Sequence, residues 1–307
     1  MASTLPDTWF DGFEARDFEV NGANIFARYG GNPEGQPLLL LHGFPQSHVM
    51  WHRVVRALQA DFFLVLPDLR GYGDSSKPPG LPDHSNYSKR NMAADALGVM
   101  DALGLNRFDL CGHDRGGRVA HRLALDHPGR VRQLCVIDIA PTLDMYNATD
   151  MRFATAYYHW FHLIQPNPLP ETMIGGNPLP YLHAKLGGWG AHGLSHIEAE
   201  ALHKYERCFC TPEAIHAACE DYRASAAIDL VHDRESRALG EKIRCDMQVL
   251  WGERGVVQQL FEPLALWQAQ CAGIVSGHAL PAGHFIPEEL PLETAHALAQ
   301  FFGDGSP

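Results

Sequence analysis

A five-residue stretch at residues 112–116, Gly-His-Asp-Arg-Gly, carries the clearest chemical signal in the sequence. It has the Gly-x-nucleophile-x-Gly pattern of a sharp turn from a strand into a helix, with Asp114 at the nucleophile position. Residues 108–111 are typical of a short buried strand, and residues 115–124 have a helical pattern. A carboxylate at such a turn attacks saturated carbon and leaves an alkyl ester that water can cleave. The sequence therefore indicates an enzyme for a carbon–halogen bond or an epoxide, unless Asp114 only caps the helix.

The composition of the 307-residue chain sets outer limits on its function. A net charge of −12 disfavours nucleic acid and anionic membrane surfaces as partners. No apolar run is long enough to cross a membrane, and residues 1–7 lack a signal-peptide pattern. Seven cysteines, an odd number, predict reduced thiols in a cytoplasmic protein. Cys208, Cys210, His203 and His216 match no zinc spacing, so we expect no metal.

Strand-like runs alternate with helical patterns along most of the chain. A hairpin over residues 18–29, turning at Asn21-Gly22, comes first. Further strands are predicted at 38–41, 63–66, 110–111, 134–137, 248–251 and 274–275, and helices at 53–59, 91–103 and 115–126. This alternation predicts an α/β fold, with a mostly parallel central sheet flanked by helices.

The alternation stops between residues 141 and 237. Aromatic-rich helical stretches at 152–165, 197–209 and 213–227 are separated there by loops rich in proline and glycine. We expect an inserted helical cap that lies over the turn at Asp114. The predicted core domain is then formed by residues 1–140 and 238–307, and the cap by residues 141–237.

Four motifs resemble those of the α/β-hydrolase fold. They are Leu-His-Gly-Phe-Pro at 41–45, Pro-Asp-Leu-Arg-Gly-Tyr-Gly at 67–73, the turn at 112–116, and Gly-His-Phe at 283–285. Within that fold the chain most resembles the fluoroacetate dehalogenases, through Gly-His-Asp-Arg-Gly-Gly-Arg at 112–118, His-Trp at 159–160 and Asp-Tyr-Arg at 221–223. The resemblance implies hydrolysis of haloacetates, with fluoroacetate giving glycolate and fluoride, without a cofactor. It also implies a homodimer.

The resemblance implies a base and an acid that support the predicted nucleophile Asp114. His284, in a turn after a late strand, would activate water for cleavage of the ester. Many relatives carry the acid in a Trp-Gly-x-x-Asp pattern, but residues 251–255 have glycine in that position. Asp138, at the end of the strand one earlier in the chain, is the expected acid. Glu253 is the alternative, in which case Asp138 only caps its strand.

Two arginines and two backbone amides complete the predicted surroundings of Asp114. Arg115 and Arg118 lie three residues apart on one helix, so both project to one side. Two guanidinium groups would clamp a carboxylate, and the resemblance implies that they hold a haloacid with its α-carbon facing Asp114. The alternative is a pair of solvated surface arginines. The fold places the amides of Phe44 and Arg115 as an oxyanion hole.

The resemblance assigns the leaving halide to His159, Trp160 and Tyr222. Fluoride is strongly hydrated, so the site must replace its water shell with donors, and each hydrogen bond to a charged group contributes ~1.5–3 kcal/mol. Taken alone, a His-Trp pair on an aromatic cap helix is more often a packing feature, and the matching Asp-Tyr-Arg motif later in the cap favours the halide role. Trp189 either lines the access route or only packs.

Other functions remain open at this stage. An epoxide hydrolase would use the same Asp nucleophile and His base, with cap tyrosines such as Tyr157 and Tyr158 to protonate the ring. It leaves the pair Arg115 and Arg118 unexplained, as does a haloalkane dehalogenase for neutral substrates. A binding module that has lost catalysis is disfavoured by the complete set of candidate catalytic residues.

Overall fold

A single eight-stranded sheet runs through the structure, a computed structural model that describes residues 7–303. Residues 1–6 and 304–307 lie outside the described residues. Most of the N-terminal segment that lacks a signal-peptide pattern is therefore not described. The strands are Glu14–Val20 (β1), Ala23–Gly31 (β2), Gln36–Leu41 (β3), Phe62–Pro67 (β4), Phe108–His113 (β5), Val131–Ile137 (β6), Asp246–Gly252 (β7) and Val275–Leu280 (β8). Their order across the sheet is β1-β2-β4-β3-β5-β6-β7-β8.

The predicted hairpin forms the first edge of this sheet. Its two-residue turn places Asn21 at φ 48° and Gly22 at φ 72°. Positive φ at both positions matches the twist of antiparallel strands, which explains why this dipeptide joins β1 to β2. β2 also pairs antiparallel with β4.

Every other neighbouring pair of strands is parallel. All six residues of β5 are buried, as are the last four of β3. Strands that are covered on both faces have continuous apolar runs rather than alternating ones, as the last four residues of β3 do. The prediction of a mostly parallel sheet is confirmed.

Fifteen α-helices are assigned within residues 7–303. In chain order they are α1 His52–Leu58, α2 Lys89–Ala102, α3 Arg115–Asp126, α4 Thr142–Asn147, α5 Met151–Ala156, α6 Tyr158–Leu163, α7 Leu169–Gly175, α8 Pro178–Leu186, α9 Ala199–Phe209, α10 Pro212–Ala226, α11 Ile228–Ala238, α12 Val256–Leu260, α13 Pro263–Gln270, α14 Ile286–Glu289 and α15 Pro291–Gly303. α3 packs on β5 and β6 and against α2. Helices α4 to α11 form one helical insertion between β6 and β7.

One predicted helical stretch in this insertion is interrupted in the structure. Residues 152–165 form two short helices, α5 and α6, because Tyr157 leaves the helical conformation at φ −111° and ψ 40°. The rings of Phe153, Tyr157 and Trp160 pack together there, with centroids 5.4–6.0 Å apart. Aromatic residues are weak helix formers, so this packing outweighs the helical pattern of the sequence.

The sharp turn between β5 and α3 depends on close backbone approaches. Asp114 has φ 46° and ψ −116°, a strained conformation for a residue with a side chain. A Cβ atom on Gly112 would lie 2.5 Å from the carbonyl oxygen of Gly116, and one on Gly116 would lie 2.4 Å from that of His42. Glycine at both positions therefore lets α3 start directly against the end of β3.

We expect Gly116→Ala to destabilise the fold by about 1–3 kcal/mol, because its methyl group would overlap fixed backbone atoms. The matched control is Gly129→Ala, since nothing lies within 4 Å of a Cβ atom there. Denaturant unfolding of both variants measures the difference. Equal stability of the two would contradict the close approach at Gly116.

Candidate active site

Four loops at one edge of the sheet bring the predicted polar residues together. They follow β3, β5, β6 and β8, and their residues are, in that order, Phe44, Asp114, Asp138 and His284. The carboxyl ends of parallel strands meet at the same edge, which is where α/β proteins bind ligands. The arginines come from α3, and the predicted halide-binding residues come from the helical insertion.

The structure places Asp138, and not Glu253, against His284. The Nδ1 atom of His284 lies 2.6 Å from Oδ2 of Asp138, whose Oδ1 accepts a hydrogen bond from the Gly252 amide at 3.0 Å. Nε2 of His284 faces Asp114, 3.9 Å from its Oδ2. Glu253 is exposed. The imidazole is thus held by one carboxylate and directed at the other, the arrangement that a general base needs.

The charges of this cluster shift the pKa values of its members. Burial raises the pKa of Asp114, but the charges of His284, Arg115 and Arg118 outweigh burial, and the net pKa lies below its ordinary value. Burial lowers the pKa of His284, yet the hydrogen bond and charge of Asp138 bring the net pKa above its ordinary value. The carboxylate of Asp114 therefore stays ionised.

The predicted oxyanion hole has one amide in contact with the predicted nucleophile. The Phe44 amide donates a hydrogen bond to Oδ1 of Asp114 at 2.9 Å. A Cβ atom on Gly43 would lie 2.5 Å from Cβ of Asp114, so this approach needs glycine. Arg115 is the first residue of α3, where backbone N–H groups have no partner within the helix.

Arg115 is held by an acid that the sequence did not assign to it. Its Nε and Nη2 atoms donate to the Asp221 carboxylate, each at 2.8 Å, and Nη2 also reaches Ser225. The guanidinium lies 4.1 Å from the Tyr222 ring centroid. Its Nη1 is buried and has no hydrogen-bond partner among the described residues. Arg115 is fully buried, so it is not a solvated surface residue.

Arg118 is similarly fixed, but by neutral groups. Its Nη1 donates to Thr142 at 2.9 Å and to the carbonyl of Ala140 at 3.1 Å, and its guanidinium lies 4.6 Å from the Trp160 ring centroid. Its Nε is buried and unpartnered within residues 7–303. Burial lowers the pKa of Arg118, and the nearby charge of Arg115 lowers it further. Each arginine thus has one unpartnered nitrogen for a ligand, rather than the two neighbouring nitrogens that would bind a carboxylate in a bidentate manner.

The three predicted halide-binding residues lie together on α6 and α10. The rings of His159 and Tyr222 are 5.5 Å apart, and those of Trp160 and Tyr222 are 6.4 Å apart. All three side chains are buried. In the described part of the chain, the Tyr222 hydroxyl and Nδ1 of His159 have no hydrogen-bond partner. A buried polar group without a partner is costly, and an anion would supply one.

Trp189 contacts both predicted functional histidines. Its ring lies 4.6 Å from that of His159 and 5.2 Å from that of His284, and it remains partly exposed. Its carbonyl accepts a hydrogen bond from the His284 amide at 3.0 Å. Trp189 therefore lies between solvent and the two imidazoles, a position that suits the predicted access route.

Sequence reasoning missed the residues that position Arg115. Asp221 bonds Arg115, forms a short contact with Lys89 and accepts a hydrogen bond from Tyr72 at 2.6 Å. The two cations hold the pKa of Asp221 well below its usual range, even though burial opposes this. Asp221 is part of the Asp-Tyr-Arg motif at 221–223, but no local sequence pattern indicates its pairing with Lys89, which is 132 positions away.

His113 has a positioning role that the sequence also left unassigned. Its Nε2 lies 2.8 Å from the carbonyl oxygen of His284, and the two rings are 4.7 Å apart. Burial and the charge of His284 lower the pKa of His113 to about 3. A neutral His113 can therefore donate to this carbonyl and fix the loop that carries His284.

Cys208, on α9, and Cys210, directly after this helix, are free thiols. Burial raises the pKa of Cys208 to about 11, which favours the protonated form over the thiolate that binds metals. Across the described residues, no group of three or more His, Cys, Asp or Glu side chains could hold a metal ion.

Comparisons with known proteins agree with this architecture. A protein-family model, that of the alpha/beta hydrolase fold, matches residues 36–175. A fluoroacetate dehalogenase from Burkholderia sp is 45% identical over 96% of this chain and 95% of its own length. A soluble epoxide hydrolase from Corynebacterium sp. (strain C12) is 30% identical over 92% of this chain and 95% of its own.

A solved structure from Nostoc sp PCC 7120, provisionally described as an α/β hydrolase, has a TM-score of 0.93 and 52% identity. The match covers 96% of this chain and 100% of the Nostoc chain. The chain thus belongs to the α/β-hydrolase family. Within that family it is a relative of the Burkholderia fluoroacetate dehalogenase. The predicted fold, the predicted resemblance and the expectation of a hydrolase are confirmed.

We expect Asp138→Asn to lower the pKa of His284 below its ordinary value. The substitution removes the carboxylate that raises this pKa, so burial becomes the dominant effect. NMR titration of the His284 imidazole measures the shift. Asp144→Asn is the control, because Asp144 pairs with Arg237 in the insertion. An unchanged titration in Asp138→Asn would show that Asp138 does not set the charge of His284.

Proposed function

We propose that this chain hydrolyses short haloacids, with fluoroacetate as the expected substrate, through an ester on Asp114. The observation that carries the proposal is the pair of unpartnered, buried nitrogens on Arg115 and Arg118, next to an ionised carboxylate. Two cations facing one nucleophile suit a substrate that brings its own negative charge. The 45% identity to a fluoroacetate dehalogenase over nearly the whole chain supports the same substrate class.

In the first step, the substrate carboxylate binds Nη1 of Arg115 and Nε of Arg118. One oxygen of Asp114 attacks the α-carbon from the side opposite the halogen. The new carbon–oxygen bond forms as the carbon–halogen bond breaks, and the halide leaves with the bonding electrons. The product is a glycolyl ester of Asp114 and a free halide.

The halide is received by His159, Trp160 and Tyr222. The unpartnered Tyr222 hydroxyl and the buried ring of His159 offer donors that would replace part of the water shell of fluoride. Hydrogen bonds to a charged group are worth ~1.5–3 kcal/mol each, and the charge on the halide is complete only as the bond breaks. These donors therefore favour the transition state over the bound substrate.

In the second step, His284 removes a proton from water, which attacks the ester carbonyl of Asp114. The amides of Phe44 and Arg115 receive the negative charge on the carbonyl oxygen. The ester bond then breaks, the proton passes from His284 to the departing oxygen, and glycolate leaves. Asp114 is regenerated as a carboxylic acid that contains one oxygen from the water, and it returns to the carboxylate by losing its proton to solvent.

A second candidate function is epoxide hydrolysis by the same nucleophile and base. It is favoured by two buried tyrosines, Tyr157 and Tyr222, whose pKa values are raised by burial and by the charge of Asp114. Either hydroxyl would serve as the acid that protonates the opening ring. The 30% identical epoxide hydrolase points the same way. This function gives Arg115 and Arg118 no ligand.

The proposal also covers the domain bounds, the cellular location, the oligomeric state and the cofactors. We propose a core of residues 1–140 and 238–307 with a cap of residues 141–237, a cytoplasmic homodimer, and a reaction without metal or organic cofactor. Within residues 7–303, no helix combines the length and apolar character needed to cross a membrane.

The test compares haloacids with epoxides. We expect halide release from fluoroacetate and chloroacetate and no diol from an epoxide panel. Arg118→Met should lower kcat/KM for chloroacetate about 10- to 100-fold, because one hydrogen bond to a charged group is lost. Arg107→Met makes the same charge change at an exposed position and should leave this value unchanged. Diol formation without halide release would establish the epoxide hydrolase instead.

A further inference from the structure

Lys185 is a buried cation outside the site described above. It lies on α8 and is only 3% exposed. Its ammonium nitrogen is 3.8 Å from the ring centroid of Tyr158, 5.3 Å from that of Tyr181 and 5.4 Å from that of Trp189. These three rings define an aromatic cage around the nitrogen. Ring faces attract a cation but do not satisfy its three hydrogen-bond donors.

No anionic side chain completes this cage. Among the residues described here, Lys185 has neither a hydrogen bond nor a carboxylate partner, although the chain carries a net charge of −12. Other buried lysines are paired, Lys89 with Asp221 and Lys204 with Asp74. The three ring faces stabilise the charge of the ammonium, but they leave its hydrogen-bond donors without an acceptor, so these donors are free to bind an exogenous anion.

The cage lies beside the predicted access route, because the two share Trp189. Trp189 forms one wall of the cage and also contacts His159 and His284. The charge of Lys185 contributes to lowering the pKa of His159, so its field reaches the proposed halide pocket. Burial lowers the pKa of Lys185 itself to about 8, which leaves the ammonium charged at neutral pH.

We propose that Lys185 and its aromatic cage form an outer binding site for small monovalent anions, beside Trp189. Resting on the proposed function, the site attracts the haloacid on its way in and accepts the halide on its way out. Substrate and both products of that reaction are anions of this class. The field of a buried cation guides such ions towards a site that a protein of this net charge would otherwise repel.

The test uses bromide as a quencher of Trp189 fluorescence, which needs no turnover. The signal that Trp189→Phe removes reports anions near this indole, at the cage or beside His159, and the Lys185 variants isolate the part that comes from the cage. We expect saturable quenching, and Lys185→Met should weaken bromide binding at least about tenfold, because a charged hydrogen-bond donor is lost. Methionine keeps an unbranched chain among the rings. Lys185→Arg keeps the charge and should retain binding, as should the exposed control Lys242→Met.

Acetate tests whether carboxylates share the site. Competition between acetate and bromide supports the entry role, and its absence contradicts that role. Unchanged bromide quenching in Lys185→Met, with wild-type melting temperature, would overturn the outer site. If Lys185→Met does not fold, Lys185→Gln is measured by the same criterion. Halide release from chloroacetate tests the proposed function separately, so a failure of one is not read as a failure of the other.

Discussion

Asp114 is a buried carboxylate, and burial works against the charge that it needs for the proposed role of nucleophile. His284 and two arginines hold its pKa below the ordinary value. Each of these cations requires its own support, because a buried charge without compensation is costly. Asp138 supports His284, and Asp221 supports Arg115. An ionised Asp114 thus depends on neighbouring cations, and His284 and Arg115 depend in turn on the carboxylates of Asp138 and Asp221, which come from different elements of the fold.

This chain of charges connects the sheet to the helical insertion. Arg115 begins α3, whereas Asp221 lies on α10, and Lys89 begins α2. An arginine that is held by Nε and Nη2 can turn only Nη1 towards a ligand. The insertion therefore does more than cover the site, since it fixes the orientation of the group that we propose binds the substrate carboxylate. Its aromatic side chains also supply the proposed halide donors.

Local patterns in the sequence were sufficient to predict the sheet, the turn at Asp114 and the position of His284. Asp138 was predicted because a glycine occupies the position where many relatives carry the acid, and Asp138 does contact His284. Contacts between distant residues could not be predicted in this way. Nothing in the sequence near Lys89 indicates its pairing with Asp221, and the helical pattern at 152–165 gave no sign of the break at Tyr157. In both cases tertiary packing decides the outcome.

Mass spectrometry of His284→Asn after incubation with fluoroacetate tests the two-step mechanism most directly. Without the base, alkylation should proceed and hydrolysis should stop. We expect one fluoride released per protein and a stable glycolyl ester on Asp114. The exposed His278→Asn should turn over normally and carry no adduct. Folded His284→Asn protein that carries no ester, or carries one on a residue other than Asp114, would contradict Asp114 as the nucleophile.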